Sequence, residues 1–229
     1  MNTSESLLIV GAGPGLSASL GRLFKSEGMK IALAARNIKK LEPLASDIDA
    51  LCIECDAANP DHVRKMFEQI DNKIGSPSIV IYNPSARIRG SIETLDPTDI
   101  KTALDTTCYG AFLVAQQAAI RMLELGSGSI FFTGASAGLK GFANSSVFAM
   151  GKFGLRGLAQ SLARELHPKN IHIGHFVIDG GIKSAQRPDS GNQSLLCPDE
   201  IAKAYLNFHK QERSSWAWEI ELRPWIESF

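Results

Sequence analysis

The segment SSVFAMGKFG places a lysine, Lys152, among apolar residues, with Phe148 four positions before it. Side chains four residues apart project from one face of a helix, so we expect the ammonium group and the phenyl ring to face one site. An ammonium group can donate hydrogen bonds to a bound ligand, whereas a phenyl ring has no proton to give. Lys152 is therefore a candidate site residue. The alternative is that its amine extends from an apolar helix face to solvent.

Three glycines, Gly11, Gly13 and Gly15, lie between the first predicted strand and the first predicted helix, in LLIVGAGPGLSASLG. Glycines let the backbone turn tightly and approach a ligand closely. The first turn of a helix offers free N–H groups and a partial positive charge, which suit a phosphate group. In the first βα unit of a parallel sheet this pattern predicts a phosphate-binding loop. The alternative is a tight turn that binds no ligand.

The second predicted strand ends in LAARN, so Arg36 stands where the adenosine ribose of a dinucleotide would approach the sheet. A carboxylate at this place would bind a free 2′-hydroxyl group, whereas a guanidinium group favours a 2′-phosphate. Arg36 therefore favours NADP over NAD as cofactor. The alternative is an arginine that is only solvated, and nearby Lys39 and Lys40 are compatible with both interpretations.

Two polar residues end the third and fourth predicted strands at the same edge of the sheet. Asp56 could accept a hydrogen bond from the adenine amino group or cap the next helix. Asn83 could contact a cofactor at this edge or start a turn ahead of a proline. Both are candidate cofactor-binding residues, together with Leu16 at the start of the first helix and Ile182 after the sixth strand.

Apolar runs and helical patterns alternate along nearly the whole chain. Strands are predicted at 6–10, 30–35, 50–55, 78–82, 129–133, 171–178 and 216–222, and helices at 16–28, 38–48, 60–70, 97–125, 145–167 and 198–210. Repeated βαβ units with apolar strands predict a parallel sheet covered by helices on both faces. We therefore expect an α/β fold, a doubly wound Rossmann-type sheet in a single domain over 1–229, with a substrate lid at about 183–210.

The 229 residues include 24 basic and 24 acidic side chains, a formal net charge of zero. This balance gives no reason to expect nucleic acid or a membrane surface as partner. No apolar run approaches the roughly 20 residues of a membrane-spanning helix, and the first residues lack signal-peptide features, so we expect a cytoplasmic protein. Cys52 and Cys55 point to opposite sides of a predicted strand, as do His172 and His175, so neither pair predicts a metal site.

Together these features resemble the short-chain dehydrogenase/reductase family over nearly all of the chain. The motifs are GAGPGLS from Gly11, in which Ser17 replaces the last glycine, Asp56 after the third strand, NPSA from Asn83, and Lys152 in the family's Y-x-x-x-K pattern. The resemblance implies hydride transfer between a nicotinamide cofactor and a carbonyl or alcohol carbon. It also implies that the lysine binds the nicotinamide ribose and lowers the pKa of the catalytic tyrosine.

The chain departs from the family pattern at three catalytic positions. Phe148 stands at the place of the tyrosine, Thr107 at that of the asparagine, and Ala135, next to Ser136, at that of the serine. Loss of a general acid typically costs about 10²- to 10⁴-fold in rate. Ser136, after a slight change of loop path, and Asp179, as an acid facing an apolar pocket, are the surrogates we consider, although Asp179 also suits a turn. Thr107 could orient a water.

Two functions are therefore expected. The first is an NADP-dependent oxidoreductase with a non-standard proton donor and a small-molecule carbonyl or alcohol substrate; the second is a catalytically silent NADP(H)-binding protein, a sensor or a partner subunit. The family commonly pairs two long helices between chains, which implies a homodimer or homotetramer here. Gly151, Gly154 and Gly157 would permit close helix approach, between chains or within one, and Tyr109 is expected to be buried.

Overall fold

Seven parallel strands form one sheet in the computed structural model, which describes residues 5–191 and 193–226. The strands are β1 (Ser6–Val10), β2 (Lys30–Ala35), β3 (Ala50–Glu54), β4 (Ile79–Tyr82), β5 (Gly128–Thr133), β6 (Ile171–Ile178) and β9 (Glu219–Leu222). Their order across the sheet is β3-β2-β1-β4-β5-β6-β9. The short strands β7 (Gly181–Ile182) and β8 (Leu195–Leu196) pair separately.

Helices cover both faces of this sheet. They are α1 (Leu16–Ser26), α2 (Glu42–Ile48), α3 (Pro60–Ile74), α4 (Pro97–Leu104), α5 (Gly110–Leu125), α6 (Ser146–Leu166) and α7 (Pro198–His209). Helices α3, α5 and α6 pack on one face and α1, α2 and α7 on the other, each with its own apolar core. The predicted α/β class, a doubly wound sheet in a single domain, is confirmed. None of the helices in these ranges is long and apolar enough to cross a membrane.

The strand order reverses between β1 and β4. Leu7 of β1 pairs with Ile31 of β2 on one side and with Ile79 of β4 on the other. The chain leaves these strands in opposite directions, which opens a crevice at their carboxyl ends, where sheets of this kind bind ligands. The glycine loop after β1 and Asn83 after β4 flank this crevice.

The single helix predicted over 97–125 is two helices, α4 and α5, joined by a π-helical turn at Asp105–Tyr109. The Tyr82 hydroxyl group at the end of β4 donates a hydrogen bond to the Thr106 carbonyl oxygen inside this turn. A Cβ atom at Gly110 would lie 2.6 Å from the same hydroxyl group. The close approach of the helix to β4 accounts for the wider turn, a feature that is frequent near functional sites.

The last strand is shorter than predicted, since β9 begins at Glu219 and not at Trp216. The Trp216 ring stacks on His172 with 4.4 Å between ring centroids, and its indole N–H donates to the Gln211 carbonyl oxygen. These contacts place Trp216 over His172 of β6 and beside the end of α7, so it does not join the strand.

The structure divides the segment predicted as a lid. Residues 198–209 form α7, which packs against α1, and its Ile201, Tyr205 and Phe208 side chains lie in the core. A helix anchored in this way is part of the folded core and does not serve as a lid. The part of the segment that borders a cavity lies between residues 183 and 187.

Candidate functional site

The glycine loop joins β1 to α1 at the crevice. Gly11 has a φ of +75°, and a Cβ atom there would lie 2.6 Å from the Pro84 ring, so only glycine fits. No atom lies within 4 Å of where a Cβ atom of Gly13 or Gly15 would stand, which leaves their backbone open to the crevice. Gly15 caps α1 without a side-chain hydrogen bond, and the first turn holds no acidic residue. The first N–H groups of α1 are therefore available to an anion.

A cavity of about 440 Å³, the Arg36 cavity, lies beside this loop over the ends of β1, β2 and β3. Its lining includes Gly13, Arg36, Lys40, Asp56 and Asn83. The Arg36 side chain is exposed, and within the described part of the chain its guanidinium group forms no ion pair. The cavity thus offers two cations next to the glycine loop, an arrangement that suits a phosphate group.

Asp56 and Asn83 hold the crevice in shape. The Asp56 carboxylate accepts a hydrogen bond from the Ala58 backbone N–H group at 3.0 Å, while Asn59, not Asp56, caps α3. The Asn83 side-chain amide donates to the Ser17 hydroxyl oxygen at 2.9 Å, which ties the end of β4 to the first turn of α1. Both residues still line the Arg36 cavity.

A second cavity of about 430 Å³, the Lys152 cavity, lies on the other side of Asn83. Several of the predicted site residues line it: Gly15, Leu16, Asn83, Phe148, Lys152 and Ile182. Ala135 lines it as well, whereas Thr107, Ser136 and Asp179 do not. The two cavities share Asn83 and Ser85, so one elongated ligand can extend from Arg36 past the glycine loop to Lys152.

Lys152 is a buried cation that faces this cavity. This residue of α6 is only 2 % exposed, and its ammonium group donates a hydrogen bond to the Thr133 carbonyl oxygen at 2.7 Å. An ammonium group has three N–H donors, so two remain for a ligand. Burial, and secondarily the charge of Arg87, lower the pKa of Lys152 to about 7. At neutral pH this amine can therefore both hold and release a proton.

Phe148 carries an arginine on its ring. The Arg87 guanidinium carbon lies 4.3 Å from the ring centroid, and the Lys152 ammonium nitrogen lies 5.9 Å from it. Burial, followed by the charges of Arg89 and Arg187, lowers the pKa of Arg87. Sequence reasoning missed Arg87 and Arg187. The segment NPSARIRG contained a signal for the first, because Arg87 follows β4 closely at the ligand-binding edge of the sheet.

Thr107 lies beneath the cavity and not in its wall. It is buried in the π-helical turn, and its hydroxyl oxygen accepts a hydrogen bond from the Ala86 backbone N–H group at 3.1 Å. A Cβ atom at Gly151 of α6 would lie 3.0 Å from the Thr107 side chain, so the two are tightly packed. Thr107 thus fixes the loop that carries Arg87, which leaves it no place to orient a water in the cavity.

The two surrogate proton donors are also placed outside the cavity. The Asp179 carboxylate, on a side chain that is 10 % exposed, lies 3.3 Å from the Arg223 guanidinium group and 4.0 Å from the Lys140 ammonium group. Its oxygens therefore face two cations instead of a substrate. Ser136 begins a short 3₁₀ turn at 136–138 and does not line the cavity.

The remaining buried titratable groups near the site form a structural network. The His175 Nδ1–H group donates a hydrogen bond to the Glu219 carboxylate at 2.9 Å, and Glu219 also accepts one from the Arg156 guanidinium group at 2.7 Å. Burial lowers the pKa of His175 to about 4, so the ring is neutral at pH 7 and anchors β6 to β9. Among the described residues, no group of three or more His, Cys, Asp and Glu side chains could hold a metal ion.

The crevice, the glycine loop and the two joined cavities define a Rossmann-type nucleotide-binding protein. The family model described as short chain dehydrogenase matches residues 5–193. The chain therefore belongs to the short-chain dehydrogenase/reductase family, whose members are oxidoreductases that bind a nicotinamide cofactor, and the resemblance drawn from the sequence is confirmed.

Individual relatives agree with this assignment. A 3-oxoacyl-[acyl-carrier-protein] reductase of Bos taurus is 28 % identical over 190 residues, which cover 82 % of this chain and 79 % of that protein. A short-chain dehydrogenase from Rhodopseudomonas palustris has 32 % identity and a TM-score of 0.85, covering 96 % of this chain and 99 % of its own. A metagenomic short-chain oxidoreductase in complex with NADP shares the fold, with 22 % identity, a TM-score of 0.84, and coverage of 99 % and 100 %.

Features of this chain fit a nicotinamide dinucleotide. The open Cβ positions at Gly13 and Gly15 and the uncapped start of α1 suit the pyrophosphate group. The two cavities meet at Asn83, so the adenosine end would lie in the Arg36 cavity and the nicotinamide end in the Lys152 cavity. The donor set is therefore compatible with the cofactor of the family.

Proposed function

We propose that this chain is an NADP-dependent oxidoreductase that acts on a small carbonyl or alcohol substrate in the cytoplasm, with Lys152 as its proton donor. Gly13 and Gly15 would hold the pyrophosphate group, Arg36 would hold the 2′-phosphate, and Lys152 would hold the nicotinamide ribose. When bound, the nicotinamide supplies the hydride for carbonyl reduction. A protein of the same fold that holds NADP supports this choice of cofactor.

The observation that carries the proposal is the position of the Lys152 ammonium group. It is buried in the cavity wall, keeps two N–H donors for ligands, and has a pKa of about 7. Carbonyl reduction leaves an alkoxide that needs one proton, and Phe148 cannot provide it. In our proposal a Lys152 N–H bond breaks as the O–H bond of the alcohol forms, and the neutral amine then takes a proton from water.

Arg36 is expected to decide which cofactor binds. In a fluorescence titration, the wild-type chain should bind NADPH more tightly than NADH. Arg36→Ala should weaken NADPH binding by roughly 10- to 100-fold, because charge-assisted hydrogen bonds to the 2′-phosphate are lost, and should leave NADH binding nearly unchanged.

The matched control is Arg64→Ala, which removes a cation that is exposed and paired with Asp61 on α3, away from both cavities. It should leave both titrations unchanged. Equal binding of NADPH and NADH by the wild-type chain would refute the role of Arg36. Binding of neither nucleotide would refute the oxidoreductase proposal itself.

A catalytically silent NADP(H)-binding protein is the second candidate, and it is favoured by Phe148 and Ala135. Neither side chain can exchange a proton, and both line the cavity. A panel of ketones and aldehydes, watched for NADPH consumption, separates the candidates. Tight NADPH binding without consumption of NADPH on any compound supports the silent protein, whereas consumption that depends on Lys152 supports the enzyme.

We further propose a homodimer or homotetramer formed through α5 and α6. Large apolar side chains are exposed there: Tyr109, Phe112, Met150 and Phe153. Tyr109 is 46 % exposed, so the expectation that it is buried is wrong. Within the chain, Gly151 and Gly154 accommodate Thr107 and Cys108, whereas Gly157 faces open space and allows close approach of another molecule.

Sedimentation velocity at micromolar concentration should therefore show a dimer or tetramer. Phe153→Glu should shift the chain to a monomer, because it places a charge in an apolar interface. Ile92→Glu is the control, since Ile92 is 76 % exposed and lies outside α5 and α6. A single monomer-sized species of the wild-type chain would contradict the proposed assembly.

A further inference from the structure

The Lys152 cavity carries an unbalanced positive charge. Its lining contains the cationic side chains Arg87, Lys152, Lys183 and Arg187, and no carboxylate among the described residues. The whole chain has equal numbers of basic and acidic side chains, so this cavity differs sharply from the average surface. Like charges brought close together raise the free energy of the folded state, so the cluster points to a function that uses it.

The nearby carboxylates do not neutralise the two arginines. Asp179 pairs with Arg223 and approaches Lys140, and Asp189 lies 3.8 Å from the Lys183 ammonium group. Within the described ranges, neither Arg87 nor Arg187 forms an ion pair with a side chain of this protein. Burial, followed by the charges of the cations Arg89 and Arg187, lowers the pKa of Arg87.

The position of Arg87 is fixed even without an ion pair. Its guanidinium carbon lies 4.3 Å from the centroid of Phe148, whose ring is buried in the cavity wall. The Thr107 hydroxyl group holds the adjacent Ala86 backbone. An arginine that contacts a ring still has five N–H donors, and these match the oxygens of a carboxylate or phosphate.

Arg187 approaches from the opposite segment. Its backbone pairs with Ser184 in both directions, and a Cβ atom at Gly181 would lie 2.7 Å from its guanidinium nitrogen. The side chain therefore lies across the short strand β7 beside the cavity. Two guanidinium groups, from the loop after β4 and from the segment after β7, converge on one space.

We propose that Arg87 and Arg187 bind an oxyanion group, a carboxylate or a phosphate, on the substrate that enters the Lys152 cavity. Phe148 then serves as the platform that positions Arg87. The inference rests on the proposed function, because it describes the substrate of the same site: a carbonyl or alcohol compound that also bears an anionic group.

The test measures binding of three probes, benzoate, phenyl phosphate and benzamide, by calorimetry with the NADPH-saturated wild-type chain. At least one of the two anions should bind roughly 10- to 100-fold more tightly than neutral benzamide, because charge-assisted hydrogen bonds are gained. The preferred anion identifies the group as carboxylate or phosphate. Added KCl should weaken anion binding and leave benzamide binding unchanged.

The Arg87→Gln and Arg187→Gln variants should each reduce this preference, and the double variant should abolish it. Arg89→Gln is the matched control, because Arg89 lies in the same loop but does not line the cavity, so it should keep the preference. Arg87 and Arg187 are both exposed, and unchanged melting temperatures would show that the variants fold.

Equal affinities of the wild-type chain for benzoate, phenyl phosphate and benzamide would overturn the inference, while normal NADPH binding would leave the proposed function intact. Weaker NADPH binding by the arginine variants, with anion preference unchanged, would also overturn it, since the cations would then serve the cofactor. If the wild-type chain fails to bind NADPH, the same titrations are made with the chain alone, and anion binding that depends on Arg87 would then keep the oxyanion site while the proposed oxidoreductase function falls.

Discussion

Replacing Lys152 with methionine is expected to abolish carbonyl reduction and at the same time to stabilise the folded chain. Methionine fills a similar volume and adapts to irregular spaces, but it offers neither the proton nor the two N–H donors. We expect NADPH-dependent reduction to fall by about 10²- to 10⁴-fold, the usual cost of losing a general acid. NADPH binding should weaken roughly 10- to 100-fold.

The gain in stability follows from the burial of the ammonium group. Lys152 is 2 % exposed and its pKa is lowered, mainly by burial, which means that folding disfavours its charged form. Replacement of a buried ion pair by apolar side chains is often stabilising by roughly 1–4 kcal/mol, and we expect a gain of the same sign for this single buried ammonium group. Thr133 lines the cavity, so water can replace the lost hydrogen bond to its carbonyl oxygen. Thermal melts at pH 7 should show a Tm at least about 2 °C higher for Lys152→Met.

This difference in stability should depend on pH with a defined sign. The pKa of Lys152 is about 7 in the folded chain and has its ordinary value of 10.5 in the unfolded chain. Between these values the unfolded state binds more protons, so the stability of the wild-type chain rises with pH. The advantage of Lys152→Met should therefore be largest at pH 7 and below, and should shrink as the pH approaches 10.

Lys140→Met is the control for loss of a positive charge near the cavity. Lys140 is half-exposed and does not line the Lys152 cavity, so its replacement should change neither the reduction rate nor NADPH binding appreciably.

The wild-type reduction rate should fall as the pH rises above about 7, because the donor must be an ammonium group. Undiminished turnover in Lys152→Met would show that another group supplies the proton.

The fold could be predicted because short segments of the sequence determine its strands and helices. Strands buried on both faces appear as continuous apolar runs, such as SLLIV and SIVIY, and each is followed by a helical pattern. The predictions were wrong where tertiary contacts decide where an element begins or ends. Trp216 belongs to an apolar segment, but its stacking on His172 keeps it out of the sheet. The polar segment before α7 led to the prediction of a lid over 183–210. The structure shows that 198–209 of this range is a helix with buried side chains in the core.

The site was predictable where a single segment carries it. The spacing of the three glycines predicts the glycine loop, and the apolar residues around Lys152 mark it as a site residue. The structure brings both to one crevice. The proton-donor candidates depended on partners elsewhere in the chain. Asp179 is engaged by Arg223 and Lys140, which lie in other segments, and the sequence gives no indication of that pairing. The convergence of Arg87 and Arg187 from two loops is likewise a property of the folded chain.

The combined variant Ala135→Ser/Phe148→Tyr is expected to gain carbonyl-reductase activity, by about 10²-fold or more over the wild-type chain. Ala135 and Phe148 pack together and both line the cavity, so the two introduced hydroxyl groups would lie side by side facing a substrate. The Lys152 ammonium nitrogen is 5.9 Å from the centroid of the Phe148 ring. A cation at this range lowers the pKa of a phenol and so prepares it for proton transfer.

Phe148→Tyr alone should not restore strong activity. Without a second hydroxyl group at position 135, the introduced phenol lacks a donor beside it to polarise the carbonyl, and Thr107 remains committed to the Ala86 backbone. NADPH consumption with a ketone panel measures both variants, and Lys152→Met added to the pair should remove the gain. High turnover from the single change would contradict this account of the cavity. An inactive pair that still binds NADPH would show that the substrate carbonyl is held away from Ala135 and Phe148, toward Arg87 and Arg187.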